Sequence, residues 1–356
     1  MFEQCSFDTA HPESADPLVS IVILNYNGED LLRECLRSVF KTNYPNYEVI
    51  VVDNGSSDRS CEVVNKEFIC ARLVRNPINC GYSRGNNVGI LESKGQFVVL
   101  LNNDTVVEPD WLLELVREAK QNPGAFYQPK ILFADSKRIN SAGNVIQMFG
   151  FGFPRGMGQL DDGQYNEKLE SSYASGACVL ASKSLIGEVG LLDEFLFDFY
   201  EDVNWGWRAS MLGHKSVYIP SALIYHSWGG TWGKEMSSKK FFLIERSRIA
   251  TVLRNYSSDS LVIMLPSLLL VELMVVLYSI KRGLISKKMR AYSDVLKAAN
   301  ILRQQRRKLQ STRKKSDKLV VQTFADELAH PYLGEFAMLS NKLLRFTSRI
   351  SRRFIR

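Results

Sequence analysis

Short apolar runs alternate with amphipathic stretches through the first hundred residues of the chain. Four runs are mostly apolar and predict strands: 19–24, 49–52, 71–74 and 96–101. The apolar character of 19–24 is typical of a strand buried on both faces of a parallel sheet. Three stretches between them have helical spacing or composition: 29–40, 58–68 and 86–93. The alternation predicts an α/β fold of the doubly wound, Rossmann-like type, with a mostly parallel sheet and helices on both faces.

The pattern becomes less regular in the middle of the chain. Short strands are predicted at 125–133, 140–151, 175–180, 216–219 and 223–226, and a loop followed by a helix is predicted at 193–212. The segment 150–163 is rich in glycine. Segments of this composition predict a mobile loop over a site.

The most apolar window, 261–280, is long enough for a bilayer-spanning helix, which needs about 20 residues. It contains Pro266 and Glu272, and a glutamate at the centre of a span is costly in lipid. Three alternatives stay open: a membrane span, a buried helix hairpin, and a helix that lies in the membrane interface.

Charge is distributed unevenly along the 356 residues, whose formal net charge is +7. Residues 281–356 carry 20 Lys and Arg against 5 Asp and Glu, and the first 280 residues carry 25 against 33. A basic tail on an acidic body predicts an anionic surface as the partner of the tail. Nucleic acid is a competing partner, but aromatic residues that stack on bases are nearly absent from 281–318. The polar segment 1–17 lacks an apolar signal core, which predicts a disordered lead.

Acidic side chains follow the second and fourth predicted strands at their carboxyl ends, where open α/β sheets bind ligands. Asp53 begins a tight turn, and Asp104 ends the tripeptide Asn102-Asn103-Asp104. Asp53 can accept a hydrogen bond from a base N–H or a ribose hydroxyl, or it can cap the following helix. Asp104 can hold a hard divalent cation together with a nucleotide diphosphate, or it can form an ordinary strand-end turn.

A third segment suits a diphosphate. Asn76 precedes a glycine-containing stretch with Gly81, Arg84, Asn86 and Asn87. Such a stretch offers backbone N–H groups, a guanidinium and a helix start. The alternative is an ordinary connection between a strand and a helix.

Two further positions can carry chemistry. Glu201 and Asp202 are adjacent acids among aromatic residues, where desolvation and mutual repulsion raise carboxyl pKa values and favour a general base. The alternative is a helix start, where acids complement the dipole. His226 ends a predicted strand before a glycine turn, and a lone histidine there is more often a structural hydrogen-bonding group than a metal ligand.

In their order and spacing these segments resemble the family 2 glycosyltransferases and, within them, the rhamnosyltransferase-like branch. The resemblance extends from Val19 to Trp232 and rests on seven stretches: 19–28, 49–60, 76–89, 100–111, 175–179, 199–208 and 217–229. It implies a GT-A fold with a nucleotide-sugar-binding half at 18–110 and an acceptor-binding and catalytic half at 111–256. An apolar helix and a basic helical tail occupy 257–356. The QxxRW motif of processive synthases does not occur in the sequence, which implies transfer of one sugar, or few, per binding event.

The resemblance also implies roles for individual residues. Asp53 matches the acid that contacts the base or ribose, and Asp104 matches the last acid of the metal motif, whose usual first acid is Asn102 here. His226 matches a histidine that completes the metal site in some relatives. Asp202 matches the catalytic base and Glu201 its neighbour.

We therefore predict catalytic residues Asp202 and Glu201 and a Mg²⁺ or Mn²⁺ site at Asp104 and His226. The predicted donor site comprises Asn25, Asn27, Asp53, Asn54, Asn76, Gly81, Arg84, Asn86, Asn87, Asn103 and Asp104. The predicted acceptor site comprises Ser175, Gly176, Ala177, Trp205 and Arg208.

The predicted function is inverting transfer of a sugar from a nucleotide diphosphate, such as dTDP-rhamnose or a UDP-sugar, to a hydroxyl of a glycan or lipid-linked acceptor. The process is cell-surface polysaccharide or glycoconjugate synthesis, at an anionic membrane surface on the cytoplasmic face of the cell membrane. Two alternatives stay open: a sugar-nucleotide nucleotidyltransferase and a non-catalytic membrane-associated adaptor. Pyrophosphate release from a nucleoside triphosphate favours the first, and dispensable acids at 104 and 202 favour the second.

Overall fold

The structure is a computed structural model, and it describes residues 16–227, 236–329 and 334–355. Residues 1–15 of the predicted lead lie outside the described residues. The same holds for 228–235, which include Trp232 at the end of the resemblance.

The first part of the chain forms the predicted alternation of strands and helices. Its elements are β1 (Val19–Asn25), α1 (Glu29–Val39), β2 (Tyr47–Asp53), α2 (Ser60–Glu67), β3 (Ala71–Arg75), α3 (Gly81–Glu92) and β4 (Phe97–Asn102). β1 lies between β2 and β4, β2 pairs with β3, and all these pairings are parallel. The four predicted strands are therefore confirmed. α3, in contrast, begins at Gly81, five residues before the predicted start at 86, so most of the expected phosphate loop is helical.

The middle of the chain extends the same sheet. Its elements are β5 (Thr105–Val107), α4 (Trp111–Gln121), β6 (Ala125–Phe133), β7 (Ile139–Ser141), β8 (Asn144–Ile146), β9 (Gly152–Pro154), β10 (Leu169–Ser171), β11 (Cys178–Ser182), α5 (Lys183–Val189), α6 (Glu201–Leu212) and β12 (Lys215–His226). The strand order is β10-β12-β6-β11-β4-β1-β2-β3. β11 is antiparallel to β4 and β6, so the sheet is mixed where the sequence predicts a mostly parallel one.

Two predicted features differ from the structure in this part. The strands predicted at 216–219 and 223–226 are one strand, β12, whose register against β6 shifts between Ile219 and Leu223. The Gly-rich segment 150–163 is not a bare loop, because β9 pairs with β8 and the side chains of Phe153 and Met157 are buried.

The two faces of the sheet pack against different helices. Because neighbouring residues of a strand point to opposite faces, alternate residues of β1 enter separate cores. Ile21 and Ile23 pack with α1 and α4, whereas Val22 packs with α3, α5 and α6. Both faces are therefore covered, which explains why these strands are mostly apolar.

Helices make up most of the described C-terminal part. They are α7 (Ser238–Asn255), α8 (Ser258–Lys281), α9 (Ile285–Lys297), α10 (Ala299–Thr312), α11 (Asp317–Val320), a 3₁₀ turn (Val321–Thr323) and α12 (Gly334–Phe354). A third apolar core joins α6 to this part, where the Trp207 ring meets the Tyr256 and Phe324 rings edge-on at centroid distances of 4.9 Å. Across the described ranges, α8 alone is long and apolar enough to cross a membrane.

Candidate active site

A cavity of about 630 Å³ opens at the carboxyl ends of β1 and β4 and reaches the start of α6. The edge formed by these strand ends is where the sequence predicts ligand binding. The cavity wall includes residues from the strand ends, from the 175–177 loop and from three helices: Asn103, Asp104, Gly176, Asp202, His226, Tyr82 and Lys240.

Asp202 lies in the first turn of α6, and main-chain N–H groups hold its carboxylate. Oδ2 accepts the N–H of Gly176 at 3.0 Å, and Oδ1 accepts the N–H of Val203 at 2.7 Å. Burial raises the pKa of Asp202, while the hydrogen bonds from Gly176 and Val203 oppose the rise. The carboxylate is thus oriented and more basic than one on the surface.

Glu201 lies beside Asp202 in a less favourable environment for charge. It is buried, and its Oε2 has no hydrogen-bond partner among the described residues. Burial, followed by the negative charge of Asp202, raises the pKa of Glu201 well above its usual value. Of the two acids, Glu201 is therefore the one that retains a proton while Asp202 is ionised.

The segment before α6 has an unusual backbone. Phe197, Phe199 and Tyr200 have φ values of 65°, 65° and 72°, a region that costs non-glycine residues about 1–3 kcal/mol each. The start of α3 holds this segment, since Tyr82 N–H donates to Asp198 Oδ1 at 2.7 Å and Ser83 N–H donates to the Phe197 carbonyl at 3.1 Å. These two N–H groups thus donate to acceptors of the protein itself, although the sequence predicts that backbone N–H groups of this stretch bind a diphosphate.

Asp104 and His226 meet at the ends of two neighbouring strands. β5, which follows Asp104, pairs with the end of β12, and this pairing brings His226 Nε2 to 3.1 Å from Asp104 Oδ1. Asn140 Oδ1 lies 3.3 Å from Nδ1 of the same ring. The Asp104 and His226 side chains are 9% and 8% exposed, and both line the cavity.

Asp104 and His226 supply part of the ligand set that a divalent cation requires. The described ranges contain no group of three or more His, Cys, Asp or Glu residues that could hold a metal ion. One carboxylate and one imidazole are nevertheless sufficient when diphosphate oxygens complete the coordination, as is usual for Mg²⁺ bound with nucleotides. The two residues fit a metal that arrives with its nucleotide rather than one held by the protein alone.

The protein comparisons agree with this geometry. Residues 20–190 match the family model described as Glycosyl transferase family 2. Over these residues the chain is similar to the family 2 glycosyltransferases. This confirms the family resemblance that the sequence motifs indicate.

Several curated proteins are similar to this chain. An uncharacterized protein y4gI of Sinorhizobium fredii is 31% identical over 66% of this chain and 27% of its own length. The O-antigen biosynthesis protein RfbC of Myxococcus xanthus is 28% identical over 61% of this chain and 18% of its own length. An N-acetylglucosaminyl-diphospho-decaprenol L-rhamnosyltransferase of Mycobacterium tuberculosis is 26% identical over 62% of this chain and 80% of its own length. The chain thus spans less than a third of the first two relatives.

Two solved structures share the fold of the glycosyltransferase domain. GalNAc-T7 with UDP, GalNAc and Mn²⁺ has a TM-score of 0.58 and 17% identity, covering 72% of this chain and 51% of its own. The mannosyltransferase PcManGT of Pyrobaculum calidifontis, in complex with GDP-Man and Mn²⁺, has a TM-score of 0.53 and 14% identity, covering 96% and 88%. The predicted GT-A fold is confirmed.

Some predicted donor residues line the cavity, and others accept hydrogen bonds that hold neighbouring residues in place. Asn54, Asn103 and Asp104 are on the wall. Asn25 lies behind Asn103, whose Nδ2 donates to Asn25 Oδ1 at 2.7 Å. Asn27 Oδ1 accepts the main-chain N–H of Ser57 at 2.8 Å and so fixes the turn after β2.

Asp53 is almost fully buried at the carboxyl end of β2. Its Oδ2 accepts the N–H of Ser56 at 3.3 Å. Its Oδ1 is buried and has no hydrogen-bond partner among the described residues. An acceptor in this state suits an N–H or hydroxyl donor from a ligand, because a buried polar atom without a partner is unfavourable.

Eight predicted donor residues are not part of the cavity wall: Asn25, Asn27, Asp53, Asn76, Gly81, Arg84, Asn86 and Asn87. Asn87 instead binds Leu192, donating to its carbonyl at 2.9 Å and accepting its N–H at 3.0 Å. The Arg84 side chain is 65% exposed and lies 4.0 Å from Glu194. Because the helix begins at Gly81, the side chains of Arg84, Asn86 and Asn87 are distributed around α3 and do not converge as a loop would allow.

The predicted acceptor residues also divide into those that line the cavity and those that do not. Ser175, Gly176 and Ala177 line the cavity. Trp205 instead donates from Nε1 to the Gly190 carbonyl at 2.8 Å, and its ring packs at a tilt against Phe126. Arg208 is also outside the cavity wall and donates to the carbonyls of Val189 and Leu191 at 2.9 and 2.7 Å. Trp205 and Arg208 therefore hold the 189–191 loop, which is a correction to their predicted role.

The cavity wall also contains residues that the sequence did not predict for the site, among them Tyr82, Asp198, Lys239 and Lys240. Asp198 stands three residues before Glu201 in the same aromatic and acidic stretch, so that stretch carried a usable signal. Tyr82 reaches the site through its hydroxyl, which donates to the Gly176 carbonyl at 2.5 Å. Lys239 and Lys240 begin α7, and no sequence pattern connects them with the strand ends.

Proposed function

We propose that this protein transfers a sugar, with inversion at the anomeric carbon, from a nucleotide diphosphate donor to a hydroxyl of a glycan or lipid-linked acceptor. One observation carries the proposal. A single cavity is lined both by the Asp104–His226 pair and by Asp202, a buried carboxylate with a raised pKa. The pair suits a leaving diphosphate, and the carboxylate suits removal of a proton.

The donor is expected to bind at the strand ends. Asp53 would accept a hydrogen bond from the nucleoside base or ribose, since its Oδ1 lacks a partner in the described structure. Asp104 and His226 would hold Mg²⁺ or Mn²⁺, which, when bound, neutralises charge on the leaving diphosphate. The presence of Mn²⁺ in the two solved structures of this fold supports a divalent cation here.

The chemical step is expected to use Asp202 as the general base. The acceptor hydroxyl gives its proton to Asp202 while its oxygen attacks the anomeric carbon from the face opposite the diphosphate. The carbon–oxygen bond to the diphosphate breaks, and the electron pair leaves with the phosphate. Gly176 orients the base through its N–H, and Glu201, in its protonated form, adds no second negative charge beside it.

The acceptor is proposed to be lipid-linked and to be used at the cytoplasmic face of the cell membrane. The mycobacterial relative is named for a diphospho-decaprenol acceptor, and Lys239 and Lys240 bring two cationic groups to the acceptor side of the cavity. The donor suggested by that name is a rhamnose nucleotide, and a UDP-sugar is the second choice. The proposed role is in polysaccharide or glycoconjugate synthesis, in line with the names of relatives.

The test is binding and turnover of dTDP-, UDP- and GDP-linked sugars with Mg²⁺, Mn²⁺ or EDTA, followed by transfer to polyprenyl-diphosphate-linked sugars. Selective binding of one donor that EDTA abolishes, followed by transfer with inverted stereochemistry, is the expected result. If folded protein binds no donor under any of these conditions, the proposal is wrong.

A further inference from the structure

The helix α8 has one buried face and one exposed face along its whole length. The buried face consists of Ser260, Met264, Val271, Val275 and Ser279. The exposed face consists of apolar side chains that recur every three or four residues: Val262, Leu265, Leu269, Leu273, Leu277 and Ile280, each more than 50% exposed. This spacing places them on one stripe, which extends for about 27 Å.

The helix α12 adds a second exposed apolar stripe beside the first. Phe346, Ile350 and Phe354 are 64%, 42% and 57% exposed. Leu344 of α12 and Ile355, directly after its end, share a buried core with Met264 and Val271 of α8. Because both helices bury their inner faces in the same core, their apolar outer faces point away from it together. Monomeric soluble proteins rarely leave so much contiguous apolar surface exposed without a partner.

Positive charge borders the α12 stripe. Lys342, Arg345, Arg349 and Arg353 are exposed and follow one another at spacings of three or four residues, so they line one side of Phe346, Ile350 and Phe354. An apolar face with a basic border is typical of helices that lie at the surface of anionic membranes. A second copy of the chain fits less well, because docking two such faces would bring the same basic residues together.

A buried charge cluster shows how α8 is oriented. Glu272, at the middle of the helix, accepts hydrogen bonds from Arg248 of α7 at 2.5 Å and from Lys288 of α9 at 2.7 Å, and Tyr292 donates to it at 2.5 Å. The Arg248 and Lys288 side chains are 1% and 0% exposed. A helix that left this cluster to cross a bilayer would leave the buried Arg248 and Lys288 to share the carboxylate of Glu245. It would also carry the Glu272 carboxylate into lipid, which is costly. The helix therefore stays on the protein.

We infer that the exposed faces of α8 and α12 form one docking surface that lies in the plane of an anionic lipid bilayer, and that α8 does not cross it. This inference deepens the membrane part of the proposed function, giving it a defined surface and an orientation. It is tested on the full chain without any sugar donor, so its failure and the failure of the proposed transferase activity are distinguishable.

The first test is co-flotation with two kinds of vesicle. One consists of phosphatidylcholine alone, and the other also contains about 30% phosphatidylglycerol, which makes its surface anionic. The wild-type chain should float with the anionic vesicles. Replacing two exposed leucines (L269E/L273E) should weaken binding by at least about 100-fold, since each removes burial worth about tenfold or more. Reversing two basic residues (R349E/R353E) should weaken it by at least about 25-fold.

Control variants carry changes of the same kind on the donor half. I69E places a charge at an apolar side chain that is 74% exposed, and K41E/K94E changes net charge as much as R349E/R353E does. Both should float like the wild type. Far-ultraviolet circular dichroism and thermal unfolding verify that each variant is folded. Equal binding by folded L269E/L273E and I69E would overturn the inference, and so would a stable dimer in solution that L269E/L273E dissociates and that does not bind vesicles.

The second test distinguishes an in-plane helix from a spanning one. A nitroxide label attached through a genetically encoded ketone residue at 262, 269 or 280 leaves the native cysteines untouched. Its depth in vesicles is measured by power-saturation electron paramagnetic resonance. An in-plane helix places all three labels at similar, shallow depths of about 5–10 Å. A label at 269 near the bilayer centre, with those at 262 and 280 near its surfaces, would show that α8 spans.

Discussion

The main-chain N–H of Gly176 donates a hydrogen bond to Asp202 Oδ2 at 3.0 Å, across 26 residues of sequence. A Cβ atom at position 176 would lie 3.2 Å from the Tyr82 hydroxyl and 3.6 Å from Asp202 Oδ2. The absence of a side chain therefore leaves the space in front of the carboxylate open. One hydrogen bond thus positions both the 175–177 loop, which is predicted to face the acceptor, and Asp202, the proposed base.

Replacing Asp202 with Asn should abolish most turnover without loss of donor binding. The amide cannot accept the acceptor's proton, so kcat should fall by ~10²–10⁴-fold, the usual contribution of a general base. Transfer assays and calorimetry with the preferred nucleotide sugar measure the two effects. The matched control is D162N, at an exposed position, which should behave as the wild type. Retained turnover in D202N would assign the base to another group.

Replacing Glu201 with Gln should change stability in a pH-dependent way. Because burial raises the pKa of Glu201 above its usual 4.5, the unfolded chain ionises it more readily than the folded chain does. The wild type therefore loses stability as pH rises from about 4.5 towards the folded pKa, and E201Q does not. We expect Tm of E201Q to exceed that of the wild type at pH 7 and the difference to shrink at pH 4. A Tm difference that does not change with pH would contradict this interpretation.

Replacing Asp104 with Ala should remove the effect of metal on nucleotide binding. Without the carboxylate, His226 is the only predicted protein ligand that remains, so Mg²⁺ or Mn²⁺ should no longer tighten binding of the nucleoside diphosphate. Calorimetry with metal and with EDTA measures this difference. D30N serves as the control, since that carboxylate is 93% exposed and pairs with Arg33. If metal affects neither the wild type nor D104A, the metal assignment is wrong.

Replacing Arg248 with Met should destabilise the fold strongly. Arg248 is fully buried and pairs with both Glu245 and Glu272. Although burial raises the pKa of Glu272, its ion pairs with Arg248 and Lys288 outweigh this effect and lower it to about 2. R248M leaves Lys288 as the cation that pairs with both carboxylates. Removing one partner from a buried ion pair costs about 3–5 kcal/mol, which urea unfolding measures. R303M, at an exposed arginine of α10, should cost far less.

The sequence was sufficient to predict the strands because both faces of the sheet are covered. Ile21 and Val22 enter different cores, so apolar residues are needed on both faces of β1, and the run is visible without any knowledge of the fold. The same reasoning located Asp104 and Asp53 at strand ends. The family resemblance paired Asp104 with His226, but the apolar pattern alone could not, because 122 residues separate them and the register of β5 on β12 brings them together.

Tertiary contacts explain the residues that were misplaced. Trp205 and Arg208 donate hydrogen bonds to the 189–191 loop, whereas Asp202, in the first turn of α6, lines the cavity. Being near the proposed base in sequence therefore did not place their side chains in the site. For the 81–87 stretch, the deciding contact is Tyr82 N–H with Asp198, which is 116 residues away and leaves no local pattern.

The position of β11 between β4 and β6 determines how this protein can be recombined with its relatives. A junction at residue 110 takes β4 from one parent and β11, the antiparallel strand that pairs with its edge, from the other. Where these two strands do not fit each other, the edge of β4 keeps unpaired N–H and carbonyl groups, which are a template for aggregation. A junction after Ser182 keeps β4 and β11 in one parent. Hybrids intended to exchange donor preference should therefore be joined after Ser182, although the sequence predicts the boundary between the two halves at residue 110.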